Sequence, residues 1–402
     1  MTVRPDITQE RRVLGALGDR VWKGSAVVGI VGVAVAVGIA AVTTDGWRRF
    51  LFAYLLNFSY LLALALGALF FVILQHLTRA GWSVVVRRLA EGVAAVLPFL
   101  AALAVPVVLG LHRLCSWSRA DAAAKNLLFA CSAPCLNQPF VIARMVLYFV
   151  VWTMLMRFFV SRSVAQDSTG DGQTSLLLQR RAAPAIIALV VATVCAAADL
   201  LMSLDLHWFS TLFGVYFLAG AIVSFVALLI VIVRALQGAG FLVHAITVEH
   251  FHDLGKLLFA FTVFWACIAL SHFMLIWYAN LSEETGWFLR RQSDGWQWIG
   301  LILIIGHFLV PFLALLGRQP KRNPRLLALA AVWQLAMGWV DIFCLVGPEA
   351  EAGHALPRVV DLALLIGLGG LAVAFAVWMM SRRSLIAERD PRLEESLLFE
   401  NA

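Results

Sequence analysis

The sequence predicts an all-α integral membrane protein with about ten transmembrane helices, and its composition is the first reason. Of 402 residues, 62% are apolar and 14% are charged, whereas soluble domains have about 45–50% apolar and about 25% charged residues. Folded as soluble domains, this chain would have too little polar surface to cover its outside. A soluble protein is therefore excluded, and lipid surrounds most of the chain.

Long apolar runs are the second reason. A helix of about 20 apolar residues crosses the roughly 30 Å of hydrocarbon in a bilayer. Ten such runs lie along the chain: 24–43, 50–77, 89–111, 139–161, 183–203, 209–233, 255–281, 296–316, 326–346 and 359–380. The first run follows a basic stretch, as the core of a signal peptide does, but it is about 20 residues long and has no convincing cleavage site. We interpret it as a retained membrane anchor.

The distribution of Lys and Arg is the third reason, and it also predicts the orientation. With ten spans, 21 of the 31 Lys and Arg residues lie on the side that carries both termini, 8 lie on the other side and 2 lie within the fourth span. Basic residues concentrate on the cytoplasmic side, so both termini are predicted to be cytoplasmic, in a bacterial inner membrane. The net charge of +7 follows from this topology and requires no nucleic-acid partner.

Cysteine spacing argues against several kinds of site. The six cysteines include no Cys-x-x-Cys pair, which excludes a disulfide scaffold, a zinc ribbon, a ferredoxin-type cluster and covalent haem. The longest loop, about 112–138, is too short for an independent domain and contains Cys115, Cys131 and Cys135. Two alternatives remain open for this outer loop: Cys131 forms a disulfide with Cys135 or Cys115, or the thiols are free.

An internal repeat predicts two four-helix bundles. The second and sixth spans are both long, and each is followed by a glycine turn and a charged segment that enters the next span. Because each copy has four spans, the two copies share one orientation and are related by an axis along the membrane normal. The predicted architecture is bundle one at about 50–203, bundle two at about 209–346, and two peripheral helices at about 24–43 and 359–380.

Ionisable residues near the outer ends of the spans are the first candidates for function. Such residues cost roughly 2.5–3.5 kcal/mol to insert at the centre of a membrane helix, so they usually face protein or water. Asp199 lies near the outer end of the fifth span, and Asp341 lies at the equivalent place in the ninth; His207 follows in the turn after the fifth. These groups are candidates for an outer proton path, and the alternative is that they reach water at helix ends.

A second group of candidates lies near the cytoplasmic ends of the third and seventh spans. Glu91 is in the third span, while His252, Asp253 and Lys256 crowd the start of the seventh. Imidazoles titrate near neutral pH and carboxylates suit a helix N-terminus. The cluster therefore indicates a proton relay or a docking surface, with helix capping as the alternative.

Three further residues lie within the spans. His272 in the seventh span and His307 in the eighth lie roughly 13–16 Å deep, at 1.5 Å per residue. They are candidates for b-type haem ligation, for proton transfer between two half-paths, or for a hydrogen bond across the bundle. Arg144 in the fourth span requires a carboxylate or water, and Asp199 on the adjacent span is the expected partner of a buried ion pair.

Three segments resemble a known family. They are Asp199–Thr211 (DLLMSLDLHWFST), His250–Phe261 (HFHDLGKLLFAF) and Trp277–Thr285 (WYANLSEET). Together they resemble the NrfD/PsrC-like membrane subunits of alternative complex III, a bacterial quinol:cytochrome c or acceptor oxidoreductase. The resemblance covers about residues 50–345, and the chain length is similar to that of the smaller of the two such subunits.

The resemblance implies ten helices in two four-helix bundles, with no haem or iron–sulfur cluster bound by this chain. It implies partners: a larger NrfD-like subunit, multihaem cytochrome c and iron–sulfur subunits, other small membrane subunits and a terminal oxidase. Menaquinone or its quinol would act in the complex, most securely at the larger homologue, so no quinone-binding residue is assigned here. For the smaller subunit, the resemblance implies a proton-conducting role.

The residues and the resemblance together predict two proton half-paths. The outer half contains Asp199, His207 and Asp341, the inner half contains Glu91, His252, Asp253 and Lys256, and His272 and His307 bridge them. Two other functions stay open. One is a quinol-oxidising anchor of a related molybdopterin or sulfur-compound oxidoreductase. The other is a secondary transporter, although the spans lack the paired mid-helix breaks that such carriers use.

Overall fold

The computed structural model describes residues 10–118, 136–351 and 353–401, which form helices and turns and no strand. Ten helical segments in these ranges are long and apolar enough to cross a membrane, which confirms the all-α membrane class. The ten spans, numbered in chain order, are Gly15–Val42, Gly46–Leu77, Gly81–Leu109, Gln138–Thr169, Gly172–Leu204, Phe213–Gly238, Val248–Ala279, Trp296–Leu316, Pro324–Ala350 and Val359–Met380. Four short α-helices in the described ranges lie outside the spans: Leu111–Leu114, Ser282–Arg290, Arg318–Arg322 and Leu393–Leu397.

Several spans are longer than their apolar runs. The fourth continues eight residues past its predicted end, and the fifth begins eleven residues before its predicted start. Gly170 ends the fourth span in the left-handed conformation (φ 66°), and Asp171 then caps the next helix by accepting a hydrogen bond from the Gln173 N–H. The chain therefore reverses direction at Gly170 and Asp171, outside the apolar layer. Hydropathy alone did not predict these helix ends.

Proline changes the helix geometry in the eighth span. Pro311 has no N–H, so the carbonyls one turn before it lose their helical donor, and Leu303–Leu309 is a π-helical segment. The ninth span supplies the missing donors: Trp333 Nε1 lies 2.7 Å from the Gly306 carbonyl oxygen, and Gln334 Nε2 lies 3.2 Å from that of His307. Segments of this kind are often found at functional sites.

The third span is also interrupted, as separate helical pieces at Val84–Ala94, Leu97–Leu103 and Val105–Leu109. Pro98 and Pro106 account for the breaks, since each removes a backbone donor. The breaks in the third and eighth spans do not correspond in the repeat, where the third span matches the seventh. They are therefore not the paired breaks of a transporter.

The ten spans pack as two bundles and a peripheral pair. Spans two to five are neighbours in a ring, and so are spans six to nine. The second and sixth spans pack on each other and form the central pair. The second also packs on the ninth, and the sixth also packs on the fifth, so each central span contacts the last span of the other bundle. The first and tenth spans pack closely on each other. Their backbones are so near that a Cβ atom on Gly32 would lie 2.7 Å from the backbone of Gly367.

The segment after the tenth span crosses the face of the molecule that carries both chain ends, which we call the terminal face. Its Leu385 N–H donates to the Arg12 carbonyl at 2.8 Å, so the two ends meet. Further along, the Ser396 hydroxyl donates to the Trp82 carbonyl at 2.6 Å, and Lys256 Nζ donates to Asn401 Oδ1 at 2.9 Å. This C-terminal segment thus contacts both bundles.

Candidate functional site

The candidate site is centred on Asp341 in bundle two. Its side chain is 3% exposed. The Tyr216 hydroxyl of the sixth span donates to Asp341 Oδ1, and Trp265 Nε1 of the seventh donates to Oδ2 at 3.3 Å. No Lys or Arg in the described ranges forms an ion pair with Asp341. The sequence predicted this carboxylate but not its two ring partners.

Rings link Asp341 to both histidines. The Trp265 ring stacks on that of His307, with centroids 4.0 Å apart and planes 10° apart. The Tyr216 ring lies 6.2 Å from that of His272. The two histidines do not face each other, and within the described residues no hydrogen bond or ring contact joins them. Their connection passes through Tyr216, Asp341 and Trp265.

Two buried polar residues extend this cluster towards the terminal face. Gln334 Nε2 donates both to the His307 carbonyl and to Thr262 Oγ1, which is 2.9 Å away. Thr262, Gln334 and His307 are all 0% exposed. Sequence reasoning weighed only ionisable groups and so missed the threonine and the glutamine, although both stand out as polar residues in apolar runs.

The inner cluster of bundle two lies at the start of the seventh span, as predicted. Asp253 pairs with Lys256, and His252 and Asp253 are each 8% exposed. From Asp253 to Thr262 there are nine residues, or about 13 Å along the helix. Leu254 and Leu258 are fully buried in this interval. The polar residues of bundle two therefore form two groups, with an apolar layer between them.

In bundle one, Asp199 is neutralised. Arg144 donates through Nε to Asp199 Oδ2 and through Nη2 to Oδ1, both at 2.8 Å, and the Tyr148 hydroxyl also donates to Oδ2 at 2.8 Å. The pair is partly buried. The structure thus brings together the two residues expected to pair. His207 is exposed and is not in this group, and its backbone N–H donates to Asp205 Oδ1.

Glu91 is also neutralised. It is 1% exposed and accepts a hydrogen bond from Ser163 at 2.7 Å, with Arg87 and Arg88 at 3.4 and 3.3 Å. The same arginines pair with other acids: Arg87 with Asp390 at 2.5 Å, and Arg88 with Asp167 at 2.7 Å. Glu91 is therefore part of a buried ionic network that includes the C-terminal segment, and the structure does not bring it near His252 or Asp253.

A buried arginine at the outer end of bundle two was missed from the sequence. Pro348 leaves the Cys344 carbonyl without its helical donor, and Arg291 Nε donates to that oxygen at 3.1 Å while Nη2 donates to Leu345 O at 2.9 Å. Burial lowers the pKa of Arg291 to about 10, so it stays charged at neutral pH. The proline in the ninth span was the available signal.

The cysteine alternatives are settled in part. Cys115 is a free, buried thiol, and burial raises its pKa to about 12. Such a thiol is a poor nucleophile at neutral pH. Cys131 and Cys135 lie outside the described residues. Within the described ranges, no group of three or more His, Cys, Asp and Glu side chains is arranged to hold a metal ion.

Comparison of the sequence with models of protein families and with curated proteins finds no match.

Proposed function

We propose that this chain is an integral membrane subunit of a quinol:acceptor oxidoreductase related to alternative complex III, and that its bundle two conducts protons. The assignment to this class of complex is supported by the three resembling segments. The assignment of proton transfer to bundle two is supported by one observation above all: Asp341 is a buried carboxylate with ring partners, and no cation in the described part of the chain pairs with it.

The chemistry of Asp341 suits proton transfer. A carboxylate without a cation in a low-dielectric interior is costly when ionised, so it binds a proton readily and releases it when the surroundings change. The Tyr216 hydroxyl both donates and accepts, and the imidazole of His272 beyond it has ring nitrogens that can donate or accept a proton. A proton can thus pass from Asp341 through Tyr216 towards the outer end of bundle two.

The inner half of the proposed path begins at Asp253, His252 and Lys256. Residues 257–261, between Lys256 and Thr262, are all apolar, so transfer across this interval requires transient water. We place the terminal face in the cytoplasm of a bacterial inner membrane, as the distribution of Lys and Arg predicts. Protons would then enter at the inner cluster and leave near His272 and Arg291.

In this proposal the chain itself carries no electrons. A larger NrfD-like subunit, multihaem cytochrome c and iron–sulfur subunits and other small membrane subunits would do the redox chemistry, using menaquinol and passing electrons to a soluble acceptor or a terminal oxidase. The proposal thus separates electron transfer, on partner subunits, from proton transfer in bundle two.

Membership of such a complex is tested by a mild-detergent pull-down of the tagged chain, with a haem-stained native gel and a redox difference spectrum. We expect c-type haem in the co-purified partners and a colourless isolated chain. Recovery of the chain without partners would contradict the assignment. A b-type spectrum in the isolated chain would instead make this subunit a cytochrome.

Proton conduction is tested separately in membrane vesicles, by counting protons taken up per electron during quinol oxidation. Asp341→Asn keeps the shape and the acceptor oxygen of the side chain but cannot exchange a proton. We expect at least a tenfold loss of linked proton uptake with quinol oxidation partly retained. Asp199→Asn is the matched control in bundle one, and an unchanged ratio in Asp341→Asn would remove the proton path from bundle two.

A further inference from the structure

A cavity of about 380 Å³ lies on the terminal face, between the end of the sixth span and the start of the ninth. The residues that line it are Arg234, Gln237, Asn323, Pro324 and Arg325. Arg234 directly follows the apolar run 209–233, and Arg325 directly precedes the apolar run 326–346. The cavity is therefore at the level where hydrocarbon meets the lipid headgroups. Its volume is in the range of small-molecule sites.

Two arginines without acidic partners give the cavity its charge. Within the described residues, neither Arg234 nor Arg325 forms an ion pair, and no Asp or Glu lines the cavity. Arg322, three residues before Arg325, is by contrast paired with Glu249. Like charges that line one cavity repel each other, and an anion between them removes that repulsion. The cavity therefore favours an anionic ligand.

The hydrogen-bonding groups of the cavity are mainly donors. Asn323 Oδ1 accepts from the backbone N–H groups of Arg325 and Leu326, at 3.1 and 3.3 Å, so the Nδ2 amino group is the part of this side chain that remains for a ligand. A guanidinium group has five N–H donors in a planar fork, which matches two oxygens of a phosphate group. Phosphate oxygens only accept, so a phosphate group suits this lining.

An exposed apolar surface continues from the cavity into the membrane. Leu329 and Val332 lie four and seven residues after Arg325, on the same side of the ninth span. They are 68% and 53% exposed. At 1.5 Å per residue, this surface extends about 10 Å from Arg325 into the hydrocarbon. A ligand with a phosphate group and a hydrocarbon chain therefore contacts both parts, whereas a free anion contacts the cavity alone.

We propose that this cavity binds the phosphate group of an anionic glycerophospholipid. Arg234 and Arg325 donate to its oxygens, and one acyl chain lies along Leu329 and Val332. A zwitterionic headgroup suits the cavity less well, because its ammonium group meets no carboxylate among the described lining residues. The site requires neither proton conduction nor a redox complex, so its test is independent of the proposed function.

Binding is tested on the purified full chain by native mass spectrometry. The probes are phosphatidylglycerol and phosphatidylcholine, each with two oleoyl chains, so that they differ in the headgroup alone. We expect the first bound phosphatidylglycerol to have at least about tenfold higher affinity, since hydrogen bonds to charged groups distinguish the two lipids. Equal affinities would show unselective contact with the lipid around the protein and would overturn the anion site.

Inorganic phosphate, added as its ammonium salt, separates a lipid site from a site for a free anion. We expect that an equal concentration of phosphate leaves the bound phosphatidylglycerol in place, because phosphate has no chain to lie along the ninth span. Displacement of half or more of the lipid would show a site for a free anion and would overturn the assignment to a phospholipid.

Two double variants locate the binding. Arg234→Gln/Arg325→Gln removes both charges from the cavity. Arg180→Gln/Arg181→Gln is the matched control: it removes two exposed charges near the start of the fifth span, on the same face of the membrane, from adjacent residues that do not face each other. We expect at least about tenfold weaker binding of phosphatidylglycerol in the first variant and no change in the control. An equal loss in both would show a diffuse attraction to positive charge, and no loss in the first would place the lipid elsewhere.

The variant Arg234→Lys/Arg325→Lys separates charge from side-chain packing. Lysine keeps the positive charge but lacks the planar fork that binds two phosphate oxygens. We expect binding of phosphatidylglycerol within about threefold to fivefold of the wild type, which is stronger than in the glutamine variant. Binding as weak as in Arg234→Gln/Arg325→Gln would mean that charge does not hold the lipid and would overturn the role of the two arginines.

Discussion

Asp199 in bundle one and Asp341 in bundle two, which the sequence repeat predicts to be equivalent, have different partners. Asp199 accepts two hydrogen bonds from Arg144 and one from Tyr148, whereas the described donors to Asp341 are Tyr216 and Trp265. The first carboxylate is paired with a cation. The second is buried, and no cation in the described ranges pairs with it. Equivalent position in a duplicated fold therefore does not give equivalent chemistry, since the partners come from different spans.

The ends of the two bundles at the terminal face show the same difference: the carboxylate of bundle one has more partners than the carboxylate of bundle two. Glu91 is close to two arginines and a serine, whereas Asp253 forms an ion pair, within the described residues, with Lys256 alone, whose side chain is 46% exposed. Bundle one thus has its charges balanced in fixed networks, and bundle two has titratable groups with fewer constraints. We infer that bundle one serves mainly as a scaffold and that bundle two carries the function.

The largest effect on stability is expected where a balanced pair is broken. Arg144→Met leaves Asp199 partly buried beside Tyr148 without its cation, which makes bundle one resemble bundle two. Breaking a buried pair costs about 3–5 kcal/mol, and the residual exposure of this pair reduces the expected loss to about 2–3 kcal/mol. The loss is measured by titration with sodium dodecyl sulfate, followed by circular dichroism.

The double variant Arg144→Met/Asp199→Asn is the control for that loss. Removing both charges eliminates the unpaired carboxylate, so we expect most of the stability to return. If the double variant is as unstable as Arg144→Met alone, packing by the arginine side chain and not its charge accounts for the loss.

The next largest effect is expected on proton uptake when the hydroxyl group beside Asp341 is removed. Tyr216→Phe removes one of its two donors and the group that leads towards His272, while the ring and the Trp265 donor remain. We expect proton uptake per electron to fall about fivefold, or about 1 kcal/mol in the barrier. Tyr148→Phe beside Asp199 is the matched control and should leave the ratio unchanged; an equal fall in both would show that the bundles act alike.

The free energy of unfolding should also distinguish the two aspartates: it should fall when the ion pair of Asp199 is broken but not when Asp341 is made neutral. Asp341→Asn replaces a costly carboxylate with a neutral side chain that still accepts a hydrogen bond, so we expect stability to stay the same or rise by up to about 1 kcal/mol. The same denaturant titration measures this change. A loss of more than about 1 kcal/mol would mean that the ionised carboxylate is a stabilising element, as it is in bundle one.

The sequence was sufficient for the architecture because apolar run length and the distribution of Lys and Arg are strong signals in membrane proteins. It also placed Arg144 and Asp199 on adjacent spans, and they pair in the structure. It did not reveal the partners of Asp341, because Tyr216 and Trp265 are common residues in apolar spans and their approach depends on helix rotation. Nor did it indicate that His207 is exposed and apart from both aspartates.

Proline effects were the other feature that the sequence alone did not reveal. Pro311 and Pro348 each leave backbone carbonyls without a helical N–H donor, and side chains from another segment donate to those carbonyls. The donors are Gln334 and Trp333 near Pro311 and Arg291 near Pro348. A proline is visible in the sequence, but the donor that replaces its N–H is chosen by tertiary packing. The residues around His307 therefore required the structure.

The smallest effect is expected at the inner ends, where the two bundles can be compared directly. Asp253→Asn removes one carboxylate from a cluster in which His252 and Lys256 remain. If the barrier to proton transfer rises by about 0.4 kcal/mol, uptake slows about twofold relative to quinol oxidation, so we expect proton uptake per electron to fall about twofold. Glu91→Gln should leave that ratio unchanged and lower stability, because Arg87 and Arg88 lose a shared carboxylate in a buried site. A fall in proton uptake in Glu91→Gln that exceeds that in Asp253→Asn would assign the inner half of the path to bundle one, since both variants remove one carboxylate at the same end of the membrane.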